Sequence, residues 1–160
     1  MFSIYKKDLQ SFFFTPFAYI VTALFLFMFT FMFNSSLGDL NQPTHYFSFA
    51  NIFYNVIIMF IFLIPILTMR TFADERKFGT EVLLMTSPIN VVQIILGKYL
   101  ANITVFLFML VCSLFFPIYA SIKGEVVMSQ LICAYLGFFL WGSMYIAIGQ
   151  LVSSFTENSI

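Results

Sequence analysis

Four long stretches of the chain contain no Asp, Glu, Lys or Arg. They cover residues 9–38, 40–69, 99–122 and 126–156. Each is longer than the about 20 apolar residues that a helix needs to cross a bilayer core of about 30 Å. The pattern predicts four membrane-spanning helices, at 17–33, 52–69, 99–120 and 127–152.

The first sixteen residues have an amphipathic helical pattern instead. Apolar side chains fall on one face, which is formed by Phe2, Tyr5, Leu9, Phe12 and Phe13. Polar side chains, including Lys6 and Lys7, fall on the other. We expect residues 1–16 to lie in the membrane interface with the lysines toward anionic lipid headgroups, although a helical extension into the cytosol has the same pattern. Thr15-Pro16 then predicts a helix start, with Thr15 as N-cap and Pro16 at the first helical position.

Proline and polar residues interrupt the apolar runs. Pro65 in the second predicted span and Pro117 in the third predict kinks, because proline removes a backbone hydrogen bond. Residues 34–51 are predicted to form a polar loop, and 121–125 a tight hairpin.

Composition excludes a soluble domain. Hydrophobic residues make up 61% of the chain and charged residues 9%, against roughly 25% charged residues in an ordinary globular domain. The predicted fold class is therefore an all-α, polytopic helical membrane protein. The 24 phenylalanines are interpreted mainly as lipid-facing filler, with the lining of a lipid-like path as the alternative. The net charge of zero indicates no nucleic-acid partner.

Basic residues set the orientation. One side of the predicted topology carries all of them except Lys123, namely Lys6, Lys7, Arg70, Arg76, Lys77 and Lys98. The positive-inside rule places both termini and residues 70–98 in the cytoplasm of a plasma (inner) membrane protein, and loop 34–51 outside.

The cytoplasmic segment 70–98 combines charges with an apolar ridge. Thr71 to Asp74 fits a helix N-terminal capping pattern, and Thr80 can cap a second short helix that ends at Ser87-Pro88. The apolar ridge Val82–Met85 directly follows the charged residues. This pattern is typical of a docking helix or an interfacial helix, although a solvated loop also carries clustered charge.

The segment from Glu75 to Pro88, with Gly97-Lys98-Tyr99, resembles the first cytoplasmic loop of type-2 ABC exporter permeases. The segment reads Glu75-Arg-Lys-Phe-Gly79-Thr80-Glu81-Val-Leu83-Leu84. Within that family it is most similar to the subgroup that includes the gliding-motility-associated and copper-site-maturation permeases. Further similarity lies in the entry helix and in span four, at Lys6–Leu9, Phe13–Pro16, Tyr135–Gly137, Ala147–Gly149 and Ser153–Asn158.

The resemblance implies a permease subunit that couples ATP hydrolysis in a separate ABC ATPase subunit to export. It implies a second permease subunit, as a homodimer, and a coupling helix that contacts the ATPase. The contact residues would be Glu75, Arg76, Gly79, Thr80, Glu81, Leu83 and Leu84. Members of the family that the loop resembles have six spans, and the sequence ends after the fourth. We therefore expect the chain to be the N-terminal part of a six-span domain, as a fragment, a truncated gene product or half of a split permease.

The chain has no phosphate-binding loop of its own. Gly97-Lys98 has Val92 in place of the first glycine and Tyr99 after the lysine. We therefore expect no enzymatic activity, cofactor or metal site in this chain, with ATP and Mg bound by the partner ATPase. The alternative function is a non-transporting membrane anchor or assembly subunit.

Small residues in the fourth span predict close helix packing. Ser143 and Ala147 form one small-x-x-x-small pair, Gly149 and Ser153 form another, and Gly142 extends the stripe. The hypothesis is that this face packs on another helix and not on lipid.

Overall fold

The computed structural model describes residues 2–38, 49–77, 91–123 and 127–155. These ranges are helical apart from short junctions, and they contain no strand. The helices are α1 (Phe2–Phe14), α2 (Phe17–Gly38), α3 (Phe49–Lys77), α4 (Val91–Ser113), α5 (Phe115–Lys123) and α6 (Met128–Phe155). The predicted all-α polytopic fold is confirmed.

Three of the described stretches are long and apolar enough to cross a membrane. They are Phe17–Leu37, Val92–Ile122 and Met128–Ser154, which cover the predicted first, third and fourth spans. The predicted second span lies within α3, where Phe49–Ile58 forms a shorter apolar stretch. That α3 crosses the membrane as the second of four spans stays a prediction.

The helices extend into the predicted loop 34–51. Residues 34–38 form the last turn of α2, and α3 begins at Phe49. Polar residues can continue the backbone hydrogen bonding of a helix beyond the apolar core of the membrane. The change from apolar to polar residues at position 34 therefore did not mark the end of α2. The remaining loop residues, with His45, lie outside the described ranges.

The junction between α1 and α2 differs in detail from its prediction. The Thr15 hydroxyl donates to the Ser11 carbonyl, at the end of α1. In α2, the amide of Ile20 bonds to the carbonyl of Pro16 at 3.0 Å. Helix α2 begins at Phe17 and the Pro16 carbonyl accepts its first bond, so the predicted helix start, with Thr15 as N-cap and Pro16 as first residue, lies one residue too early.

The predicted helix start at Thr71 is also wrong. Helix α3 runs without interruption from Phe49 through Pro65 to Lys77. A capping pattern marks a helix start only where the residues before it are not helical. Here the backbone before Thr71 is already helical, so 71–77 extends α3.

Aromatic rings form the centre of the bundle. Phe138 on α6 is 2% exposed and packs against Phe25 of α2, Phe60 of α3 and Phe106 of α4, with ring centroids 6.5, 5.1 and 5.8 Å away. The interpretation of phenylalanine as mainly lipid-facing filler is wrong for this set, because these rings fill the space between helices. Other phenylalanines, such as Phe27, are exposed and fit that interpretation.

The kink predicted at Pro117 is observed as a break between α4 and α5 at Leu114. Proline has no amide hydrogen, so the carbonyl four residues earlier, on Ser113, loses its helical partner. The Tyr135 hydroxyl of α6 donates to this carbonyl at 3.2 Å. A neighbouring helix thus satisfies the group that the proline leaves unpaired.

We predict that Tyr135→Phe lowers the free energy of unfolding by about 0.6–1.7 kcal/mol, the range for hydrogen bonds between membrane helices. The measurement is thermal or denaturant unfolding of the purified protein in detergent. Tyr54→Phe is the matched control, because Tyr54 is exposed. Equal stability of the two variants would show that the Ser113 carbonyl does not need Tyr135.

Candidate functional site

Buried polar side chains concentrate at one end of the bundle, where α1, α3, α4 and α6 meet. We call this group the polar cluster; it consists of Asp8, Thr68, Lys98, Asn102, Gln150 and Ser153. Buried polar groups need hydrogen-bonding or ionic partners, so each member constrains the helices around it.

An ion pair joins α1 to α4 in this cluster. Lys98 Nζ lies 3.5 Å from Asp8 Oδ2, and the two side chains are 1% and 11% exposed. Removing one member of a buried pair costs about 3–5 kcal/mol, because the other charge stays buried without compensation. The pair is therefore a strong link between the two helices.

Sequence reasoning did not find this pair. It placed Lys98 in the cytoplasmic segment and gave Asp8 no partner. The 31-residue stretch Val92–Ile122 is about 46 Å long at 1.5 Å per residue. Because this exceeds the apolar core of about 30 Å, Lys98 lies near the membrane boundary and not at its centre. The available signal was a lone lysine within the first turns of an apolar helix.

Two weaker contacts flank the ion pair along α1. The hydroxyl groups of Tyr5 and Thr104 lie 3.0 Å apart, and the rings of Phe13 and Phe108 meet edge to face at 5.5 Å. Such contacts contribute about 0.6 kcal/mol on average for an interhelical hydrogen bond in a membrane and about 0.5–1.5 kcal/mol for an aromatic pair. Loss of one charge of the ion pair is therefore expected to cost more than loss of either flanking contact.

Helix α6 is tied to α4 by two hydrogen bonds to backbone carbonyls. The Gln150 side-chain amide donates to Ile95 at 3.1 Å, and the Tyr99 hydroxyl donates to Ser143 at 3.2 Å. Gln150 is buried and Ser143 half-buried. The start of α4 is therefore held on one side by α1 and on another by α6.

Glycines of α6 permit close approach to its neighbours. A Cβ on Gly149 would lie 2.6 Å from Thr68 Oγ1 of α3, and one on Gly142 would overlap the ring of Phe106. Of the other small residues proposed for packing, Ser153 is buried, whereas Ala147 is exposed. Gly149 and Gly142 thus face two different helices, α3 and α4.

The predicted coupling residues lie mostly beyond the described part of the chain. Glu75 and Arg76 are on the last turn of α3, with no side-chain placement described. The others, Gly79, Thr80, Glu81, Leu83 and Leu84, lie outside the described ranges. Residues 78–90 connect the end of α3 to the start of α4, and both of these helices contribute residues to the polar cluster.

A groove of about 320 Å³ opens beside the break at Leu114, between α4 and α6. Its lining is apolar apart from the Tyr135 hydroxyl, which already bonds to Ser113. Within the described ranges, no group of three or more His, Cys, Asp or Glu side chains could hold a metal ion.

Long apolar helices packed around an aromatic centre define an integral membrane protein. Comparison with protein-family models matches residues 39–160 to the ABC-2 family transporter proteins. The match covers most of the sequence, so the chain belongs to the ABC-2 transporter family. It is thus a permease subunit of an ABC transporter, a class that is not itself catalytic and that generally works with an ABC ATPase. Neither the curated proteins nor the solved structures contain a significant match.

We predict that Gly149→Leu destabilises the protein by about 1–3 kcal/mol, the usual cost of overpacking a well-packed interface. The added side chain must displace Thr68, whose hydroxyl bonds to the carbonyl of Ile64 at 3.2 Å. The measurement is thermal unfolding of purified protein. Gly137→Leu is the matched control on the same helix, because nothing lies within 4 Å of a Cβ there.

If the Gly137 and Gly149 variants unfold at the same temperature, the close approach of α6 to α3 has no energetic importance. Phe138→Leu is not a suitable lipid-facing control, because Phe138 is buried.

Proposed function

We propose that the chain is the permease subunit of an ATP-driven exporter and that segment 71–88 transmits movement of a separate ABC ATPase to the spans. The observation that carries this proposal is the position of the segment. It joins the end of α3 to the start of α4, and these two helices contribute Thr68 and Lys98 to the polar cluster. A displacement of the segment therefore acts on α3 and α4 directly, and on α1 and α6 through the cluster.

The residue types of the segment suit an ATPase surface. Glu75, Arg76 and Glu81 supply charges for polar contacts, while Leu83 and Leu84 supply an apolar ridge for a groove. ATP and Mg bind in the ATPase, since the sequence has no phosphate-binding loop. A second copy of the permease completes the transporter, and the direction of transport is outward, as in the gliding-motility and copper-site-maturation permeases that the loop resembles.

We predict that Glu75→Arg, Glu81→Arg and Leu84→Ser reduce ATPase binding while leaving membrane insertion intact. Removing one partner of a buried interfacial charge pair costs about 2–5 kcal/mol, and about 1.4 kcal/mol is tenfold in affinity. The measurement is co-purification of the full permease with its partner ABC ATPase, together with stimulated ATP hydrolysis.

Glu125→Arg is the matched control, because it reverses a charge in the loop that is proposed to face the opposite side. If the three segment variants retain the ATPase and its activity as this control does, the segment is a solvated linker. The anchor or assembly role would then be the better hypothesis.

The proposed orientation places both termini and segment 70–98 in the cytoplasm. It rests on the asymmetry of basic residues between the two sides. The opposite side would hold the 34–51 region and the hairpin after α5.

We predict opposite labelling of Ser36→Cys and Ser87→Cys by a membrane-impermeant thiol reagent in intact cells. The background carries Cys112→Ala and Cys133→Ala to remove the native thiols. Only the Ser36 variant is expected to react from outside, and the Ser87 variant only after lysis. Labelling of the Ser87 variant in intact cells would overturn the orientation.

A further inference from the structure

Helix α1 has a buried face and an exposed face, and a charge lies in the middle of the buried one. Ile4, Asp8 and Phe12 follow one another at helical spacing and are all buried. Lys6 and Gln10 are exposed on the other side. An acidic residue inside such a stripe has a specific reason to be there, and the reason is Lys98 at 3.5 Å.

The position of Lys98 gives the pair its importance. Lys98 lies in the second turn of α4, soon after segment 78–90 enters that helix. Its side chain is 1% exposed where it lies beside Asp8 of α1. Moving α1 away from α4 would leave each charge without its partner, which costs free energy as long as either charge stays buried.

The contacts on either side of the pair act in the same direction. Tyr5 contacts Thr104 and Phe13 contacts Phe108, so α1 is attached to α4 near both of its ends as well as in its middle. Three attachment points of a 13-residue helix leave it little freedom to rotate or slide on α4.

We propose that the Asp8–Lys98 pair is a joint that makes α1 and the first turns of α4 one rigid body, so that α1 moves with the coupling segment. This inference rests on the proposed function, because the segment must transmit movement for the joint to pass it on. Asp8 and Lys98 act as positioning residues. Through them, a displacement of the segment reaches the interfacial helix as well as the spans.

The test measures the distance between spin labels on Ser11→Cys of α1 and Gln93→Cys of α4, both exposed positions, without the native cysteines. The protein is the complete complex with its ATPase in lipid bilayers, without nucleotide and with a non-hydrolysable ATP analogue. In the otherwise unchanged protein the distance should stay the same in both states. In Lys98→Met the distribution of distances between the two labels should broaden, or its mean should change when the nucleotide analogue binds.

Stimulated ATP hydrolysis in Lys98→Met should fall at least about fivefold, the lower end of the range for energetic coupling between sites, although the ATPase still co-purifies. Lys6→Gln removes a charge from an exposed position of the same helix and should behave as the unchanged protein. The exchanged pair Asp8→Lys with Lys98→Asp should restore both the narrow distance and much of the hydrolysis. That rescue separates loss of the joint from loss of folding.

If the distance between the two labels changes with nucleotide in the unchanged protein, the proposed rigid connection of α1 to α4 is wrong. This result does not depend on whether Lys98→Met folds. Normal hydrolysis and an unaltered distance in Lys98→Met overturn it as well. If the ATPase does not co-purify with the unchanged permease, the proposed function fails instead, so the two failures are distinguishable.

Discussion

A bilayer gives apolar side chains little reason to leave lipid for another helix, because lipid tails are as apolar as the side chains themselves. Helices in such an environment associate through close fit and through a few polar contacts. This chain uses both. Phe138 fits among rings from α2, α3 and α4, and Gly149 lets α6 approach Thr68 of α3. The Tyr135 hydroxyl adds a polar contact at the carbonyl that Pro117 leaves without a helical partner.

The two kinds of contact are separated along the bundle. The aromatic centre is apolar and fills the middle of the helices, whereas most buried polar groups lie at the end where segment 78–90 attaches. Apolar packing resists deformation because cores are close-packed, so it suits the part that must keep the helices together. The polar cluster instead links helices by directional contacts, such as Asp8 with Lys98 and Gln150 with Ile95. In the proposed function, this end of the bundle is where movement of an ATPase would enter the permease.

Helix α2 shows why packing was hard to foresee. It is apolar around its whole circumference, and phenylalanine occupies both of its sides. Phe25 and Phe29 are buried, while Phe27 and Phe31 are exposed. In a soluble protein, polar residues would mark the exposed side, but in a membrane span lipid accepts the same side chains as the core does. Composition therefore predicted that the helix crosses the membrane and did not predict which face meets α3.

Local properties of the sequence determined the all-α class, the position of the long apolar helices and the break near Pro117. Run length against bilayer thickness and the missing amide of proline require no knowledge of the neighbours. The loop motif between Glu75 and Pro88 also indicated the transporter family, which the family comparison then showed. Only the tertiary structure decided that Lys98 is buried against Asp8 and that Phe138 lies at the centre. The physical reason is that burial of these groups depends on which helix faces meet, and Asp8 and Lys98 come together only when α1 packs on α4.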